Sequence, residues 1–274
     1  MREQRMHNLL HYKNNYNKIR TSLGGVIDAS IQFMGYDTTH EIAPRFSQTE
    51  ALLLWLLGRK PSEIETRIID MLVTINTYPD IRIWSIRAGA FAAAKGAPLA
   101  TAFGVSQAAS NGKIFGVQTA KKTVSFLNTV RKKLPDKSLS QIIEELKQNG
   151  YIFPGYGRPV IQGPDERVLK IHSLMKEYGH QQGVYGKLQK GIAQVIQKKY
   201  KLYPNFSAVF VPLLMDKPFY LQADKIESFC FYLNQLSSLA SIEEISASTS
   251  AKPLLPLKIS DVEYTGKNKR SLER

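Results

Sequence analysis

Residues 153–168, FPGYGRPVIQGPDERV, have the composition of a ligand-binding loop rather than of a plain connection between helices. Gly155 and Gly157 flank Tyr156, Pro154 and Pro159 stiffen the run, and Arg158 and Arg167 stand nine residues apart. Glycine, lacking a Cβ, lets backbone turn tightly or approach a ligand closely. A guanidinium grips a carboxylate or phosphate through two parallel hydrogen bonds. The same residues also suit a packing loop, with Arg158 paired to Asp165 or Glu166 and Tyr156 filling space. Both readings stay open, and the loop contains no histidine.

The surrounding chain reads as helical. Ser47 and Glu50 have capping-box spacing before the apolar run Ala51–Leu57, and Gly58 supplies a stop. Pro61, Ser62 and Glu65 start a second helix, with apolar residues at 64, 68, 71, 72 and 75; the two form an αα-hairpin. The Ala- and Gly-rich stretch 85–109 suits close helix packing, with Pro98 beginning a new helix or kinking this one. Ser138 and Gln141 cap a helix through Asn149, which turns Ile142, Ile143 and Leu146 inward and ends at Gly150. Further helices are expected over 165–181, 184–200 and 224–240. Strand signals amount to a short hairpin within 23–35, and Ser246–Arg274 reads as a loop that wraps a surface or a partner.

The 274 residues allow one large domain or two unequal ones. A formal charge of +14 favours an anionic partner. The basic residues are scattered in small groups (Lys121–Lys122, Arg131–Lys133, Lys198–Lys201, Lys267–Arg270), so solvated surface comes first and a polyphosphate-bearing small ligand second. Nucleic acid comes last, because no RNP or zinc-finger signature is present. Cys230, the one cysteine, lies in the apolar run SFCFYL and reads as a core thiol, with no disulfide and no cysteine metal site expected. The stretch 88–109 is too polar for a membrane span, and the first twenty residues lack the apolar core of a signal peptide. The expectation is a cytoplasmic protein with no membrane contact.

The opening loop resembles the active-site loop of the citrate synthase superfamily, approximately PG-aromatic-GH followed by DPR. TSLGGVIDASIQFMGYDTTHEIAPRFSQTEALLLWLLGRKPS, 21–62, is similar to that family's amino-terminal hairpin and paired helices, closest to the short citryl-CoA lyase-like members. YKLYPNFSAVFVPLLM, 200–215, resembles its later segment, approximately YPNVDFYSG, and YTGKNKR resembles its tail. The resemblance implies an all-α fold in which a large and a smaller helical domain form a cleft. It assigns 1–115 to the first part of the large domain, 116–215 to the small domain, and 216–274 to the return and tail. It also implies a homodimer, acting on an acyl-CoA and a small carboxylate with no metal.

Carried over by position, the family's apparatus is largely replaced. Arg158 stands at the loop histidine, and the aspartate after Tyr-Pro-Asn falls at Ser207. Other histidines fall at Phe115, within Gly112–Gly116, and near Thr77, and a carboxylate-binding arginine falls around Gln235. The five histidines, at 7, 11, 40, 172 and 180, coincide with none of these places. Arg167 stands at the arginine of DPR, preceded by Asp165 and by Glu166 where proline is usual. Candidate catalytic residues are therefore Arg158 and Arg167, and candidate substrate contacts are Gly155, Tyr156, Gly157 and Ser207. Lys198, Lys199 and Lys201, just ahead of Tyr203, match a lysine that contacts the phosphates of CoA; a solvated helix end is the alternative.

These replacements change the chemistry. An arginine with a pKa above about 12 is no general base near neutrality, serine is too weak a base, and phenylalanine donates no hydrogen bond to an enolate. Two functions follow. One is a divergent thioester-binding protein that forms or cleaves a carbon–carbon bond atypically, with a base such as Glu63, Asp80 or His172. The other is a catalytically inactive homologue serving as a regulatory or structural subunit, with a heteromer containing a catalytic relative as the alternative to a homodimer.

Overall fold

The structure is a computed structural model that describes residues 21–247 apart from 79, 113–115 and 159–162. His7, His11, Phe115, Pro159, the last group of basic residues and nearly all of the 246–274 tail lie outside the described residues.

The described chain opens with a three-stranded antiparallel meander: β1 (Gly24–Ile27), β2 (Ser30–Phe33) and β3 (Tyr36–Asp37). Ile27 pairs with Ser30 and Phe33 with Tyr36, so both turns are two residues long. Asp28 and Ala29 have φ of 48° and 62°, and Met34 and Gly35 have 53° and 84°, the left-handed pairs that match strand twist in tight hairpins. The expected hairpin thus gains a third strand. A single helical turn, Thr38–Ile42, follows, its start capped by the Asp37 carboxylate.

Eleven α-helices follow among the described residues: α1 (Gln48–Leu57), α2 (Glu63–Ile75), α3 (Trp84–Ala94), α4 (Leu99–Ser110), α5 (Val117–Lys133), α6 (Leu139–Gln148), α7 (Glu166–Glu177), α8 (Val184–Tyr200), α9 (Phe206–Met215), α10 (Ala223–Leu233) and α11 (Gln235–Ala247). The capping boxes at Ser47/Glu50, Ser62/Glu65 and Ser138/Gln141 all form, and Gly58 ends α1 in the left-handed conformation. Pro98 is the N-cap of α4, so the Ala/Gly stretch is two helices rather than one kinked helix. The helix expected over 224–240 is likewise two. The chain turns at Asn234, whose side-chain amide bonds the Cys230 carbonyl, and α11 runs on to Ala247.

The helices sort into two packed groups. One core is built by α1, α2 and α5–α10, with Phe126, Phe229, Leu53, Ile68, Ile142 and Ile192 fully buried. Every residue of α9 except Ser207 is buried, and α9 packs on α5, α7 and α8. At 1.5 Å per residue this ten-residue strut is about 15 Å long, which separates its two ends into distinct environments. Cys230 is buried in this core, and burial pushes its thiol pKa up. The second group, α3, α4 and α11, packs around a small cluster of Ala93, Ala102 and Ile242, with Ile86 and Ala90 of α3 also buried. Ser85, Ser106, Ser110, Ser237, Ser238 and Ser241 are buried there too, and small side chains let those helices approach closely.

Candidate functional site

The loop 151–165 joins α6 to α7 and is zipped along the segment that leads into α9. Gly157 N–H donates to the Tyr203 carbonyl at 2.8 Å, Asn205 N–H to the Gly155 carbonyl at 2.8 Å, and Asn205 Nδ2 to the Gly157 carbonyl at 2.9 Å. Tyr156 and Pro204 form the bridge between the two strands of this zipper. Gly155 has φ 84°, and a Cβ there would sit 3.0 Å from the Ala208 nitrogen. Both demands explain a glycine. The Tyr156 ring packs on the main core, and its buried hydroxyl makes no hydrogen bond of good geometry although the buried Gln189 lies nearby. Burial pushes its pKa up, so it stays protonated at neutral pH.

Asp165 is the hub. Its buried carboxylate caps α7 by accepting from Arg167 N–H (3.1 Å), then accepts Arg167 Nε (2.9 Å) and Nη2 (2.7 Å), and takes the Phe206 N–H (3.1 Å) at the start of α9. Two helix N-termini and a guanidinium therefore share one carboxylate, using all four of its lone-pair positions. Burial works against its charge, but the Arg167 hydrogen bonds and the charges of Arg167 and Arg158 outweigh it and hold the pKa below the ordinary value. A saturated carboxylate of this kind is an anchor, not a base.

Arg167 is itself nearly spent. Beyond Asp165, its Nη1 donates to Asn76 Oδ1 (3.1 Å) and the Tyr78 hydroxyl (3.4 Å), and its guanidinium lies over the rings of Tyr78 and Phe206. Asn76 also donates to the Leu233 carbonyl, 3.3 Å away, at the end of α10. Arg158 takes Glu166 as a fork, Nη1 at 2.7 Å and Nη2 at 3.3 Å, with its Nε 4.0 Å from Asp165. Arg158 is 12% exposed whereas Glu166 is 71% exposed, so the pair has a fixed cation and a solvated anion. The hydrogen bonds from Arg158 hold the Glu166 pKa below its ordinary value.

The sequence-predicted positions therefore converge unevenly. Gly155, Tyr156, Gly157, Arg158, Arg167 and Ser207 share one locus, Ser207 through its N–H to Asn205 Oδ1 (3.0 Å). Thr77 and Gln235 are the neighbours of the residues that arrive there, since Asn76, Tyr78 and the 233–234 turn make the contacts. The lysines cluster at the end of α8: Lys199 pairs with Glu144 on α6, Lys201 caps the helix with φ 57°, and Lys198 is exposed. Lys147, which sequence reasoning passed over, holds its ammonium over the Phe153 and Tyr200 rings on the same side. Phe153 follows Lys147 closely in the chain, but the contact with Tyr200 depends on α8 packing beside α6, which no local spacing records.

Among the described residues, none of the proposed bases touches this locus. Glu63 is exposed in the first turn of α2, and His172 is exposed on α7. Asp80 is clamped by Arg82 at 2.7 and 3.0 Å. Among the described residues, both guanidiniums of the locus are paired with acids, and it offers no unpaired carboxylate or imidazole at the loop. No group of histidine, cysteine or carboxylate side chains suited to a metal ion occurs among the described residues, and no helix there is long and apolar enough to cross a membrane.

No protein-family model and no curated protein matches the chain. Solved structures do. The citryl-CoA lyase of Hydrogenobacter thermophilus superposes with a TM-score of 0.77 at 20% identity, over 93% of this chain and 97% of that one. The Methanosaeta concilii ATP citrate lyase, solved as a mutant with (3S)-citryl-CoA, gives 0.71 at 14% identity, over 94% of this chain but 44% of that one. Citrate synthase from Thermotoga maritima gives 0.67 at 16% identity, over 84% of this chain and 60% of that one. The fold of this chain is thus the all-α citrate synthase-like fold, at a length matching the short citryl-CoA lyase.

Proposed function

We propose that this protein binds a CoA thioester together with a small carboxylate at the loop 153–167, and that any carbon–carbon bond chemistry there is atypical. The observation that carries the reading is the convergence of Asn76, Tyr78, 155–158, 165–167, 203–207 and 233–234 on the Asp165–Arg167 hub. Arg158 is the anion receptor, because a ligand carboxylate can replace the solvated Glu166 in its fork at little cost. Arg167 holds the receptor's geometry from behind. On this reading Lys198, Lys199 and Lys201 at the end of α8, with Lys147 near the end of α6, would meet the CoA phosphates. The fold neighbours support the ligand class, since one is a citryl-CoA lyase and another holds citryl-CoA. On this reading 1–115 with 216–274 form the large domain and 116–215 the small one.

A second reading has its own observation. Asp165 is saturated, Tyr156 is held protonated, and no histidine reaches the loop among the described residues. That arrangement suits a catalytically silent subunit. The α3/α4 face suits self-association in either case: α4 carries no charged residue, and Leu99, Ala100, Thr101, Gly104, Val105 and Ala108 are exposed along it. A homodimer is the proposed state, with a heteromer containing a catalytic homologue as the alternative. Light scattering on the purified chain separates them.

Calorimetric titration with CoA, acetyl-CoA and citryl-CoA tests the binding reading. Saturable binding that prefers the acyl thioesters, weakened about ten- to hundredfold by Arg158→Gln, is expected from the size of a charge-assisted hydrogen bond. Absence of binding by all three would reject it. Mass spectrometry of citryl-CoA incubated with the protein then separates the readings: cleavage makes it an enzyme, and unchanged thioester makes it a silent binder.

A further inference from the structure

At the other end of α9, about 15 Å from the Asp165 hub, lies a half-open cavity of about 340 Å3. That is near the lower end of small-molecule pockets, roughly 300–1,000 Å3. Its apolar floor is Val124 of α5, Met215 of α9 and Leu221 of the α9–α10 turn. Val124 shares one helical face with Asn128 and Arg131, at spacings of four and three, so α5 presents a wall that is apolar at the bottom and cationic at the rim.

The rim is organised. Arg131 Nη1 donates to the Tyr185 hydroxyl at 3.0 Å, and that hydroxyl donates to Asn128 Oδ1 at 2.7 Å. The guanidinium carbon lies 5.1 Å from the Tyr185 ring centroid. The charge is therefore held in place by an aromatic ring and one hydrogen bond, yet among the described residues it has no carboxylate partner. The one acid in the wall, Asp216, is already engaged: its two oxygens accept the N–H groups of Tyr185 (3.0 Å) and Gly186 (2.7 Å) at the start of α8. It is buried and held at the helix terminus by those two bonds, and glycine at 183 leaves the room it fills, since a Cβ there would collide with its carboxyl carbon.

We propose that this cavity is a second ligand site, taking a small amphipathic monoanion whose carboxylate lies on Arg131 and whose apolar body lies on Val124, Met215 and Leu221. The site is independent of the loop: the two share α9 but no residue. A carboxylate completes the fork that Tyr185 holds in place, since four of the five Arg131 N–H donors remain for it. The apolar body replaces water over the floor. A neutral analogue of the same shape gains only the second contribution.

The test is fluorine NMR of 4-fluorobenzoate with the whole protein, with 4-fluorobenzyl alcohol as the neutral isostere. Saturable binding of the benzoate, about tenfold or more tighter than the alcohol, is expected. Arg131→Gln should weaken the benzoate about tenfold or more. Ala223→Phe, which fills the cavity and leaves Arg131 in place, should abolish binding, and Arg158→Gln should leave it unchanged. Thermal unfolding of each variant checks that it is folded. Should Arg131→Gln not fold, Arg131→Lys, which keeps the charge but not the fork, and Ala223→Phe decide the matter. Absence of saturation by about 10 mM, equal affinity for the alcohol, or binding that survives Ala223→Phe and fails in Arg158→Gln would overturn the proposal.

Discussion

The two ends of α9 solve the same problem in opposite ways. At its start, Asp165 is buried with a guanidinium, and Arg158 and Glu166 close a cluster whose four charges cancel. At its end, among the described residues, Asp216 is satisfied by backbone N–H groups alone, and Arg131 is left with no acid. A buried acid that a cation shares is bound to the fold, and removing either partner strands the other. A cation that the fold orients but does not neutralise is available to a ligand. The contrast turns on what each acid binds, not on how many charges are present.

The strongest way to break the comparison is Asp165→Ala. It strands the half-buried Arg167 and uncaps both α7 and the start of α9, and a loss of roughly 3–5 kcal/mol is expected in urea unfolding. Asp216→Ala removes only two helix N-terminal bonds and should cost about 1–2 kcal/mol. Equal costs would erase the distinction between the two ends.

Acid unfolding sharpens it. The Asp165 pKa is lowered on folding from 3.8, so its stabilisation is full above that value and is lost as pH falls through the lower folded one. The stability of the wild type should therefore drop steeply with acid below about pH 4. Asp165→Asn should flatten that part of the profile, while Asp216→Asn is the comparison variant. An unchanged slope in Asp165→Asn would show that the group does not carry the dependence.

Glycines supply a smaller test. Gly155→Ala places a Cβ at a left-handed φ against Ala208 and should cost about 1–3 kcal/mol regardless of background. Gly183→Ala acts through Asp216, so its cost should largely vanish when Asp216 is already alanine. A double-mutant cycle by chemical denaturation measures the coupling.

The smallest expected effect is the pair of tyrosines. Tyr156→Phe removes a buried hydroxyl without a good partner and should be neutral or stabilising by about 1 kcal/mol or less. Tyr185→Phe loses bonds to Arg131 and Asn128 and should destabilise by about 1 kcal/mol. Thermal melts that reverse this order would contradict the hydrogen-bond assignment at both ends.

Much of the fold was legible along the chain because it rests on local chemistry. Ser47/Glu50, Ser62/Glu65 and Ser138/Gln141 announce helix starts by reciprocal bonds three residues apart, and Gly58 announces an end by tolerating a left-handed φ. The break at Asn234 was not legible, because SFCFYLNQLSSLA keeps helical composition across it and the turn is held by distant Asn76 as well as by Asn234 itself. The third strand hid in Tyr36–Asp37, too short for an alternating pattern.

The candidate site divides along the same line. The loop motif, with its glycines and arginines, was visible as sequence, and so was the choice between an anion receptor and an acid-paired arginine. Only the tertiary structure decided that Arg158 takes Glu166, that Arg167 takes Asp165, and that Asn76 and Tyr78 come from ninety residues away to hold the latter. It alone set Lys147 over the Tyr200 ring and Arg131 over an apolar cavity. Caps, turns and helical periodicity act between neighbours in the chain and can be read there. Whether a charge is matched depends on which residues long-range packing sets against it, and no local pattern records that.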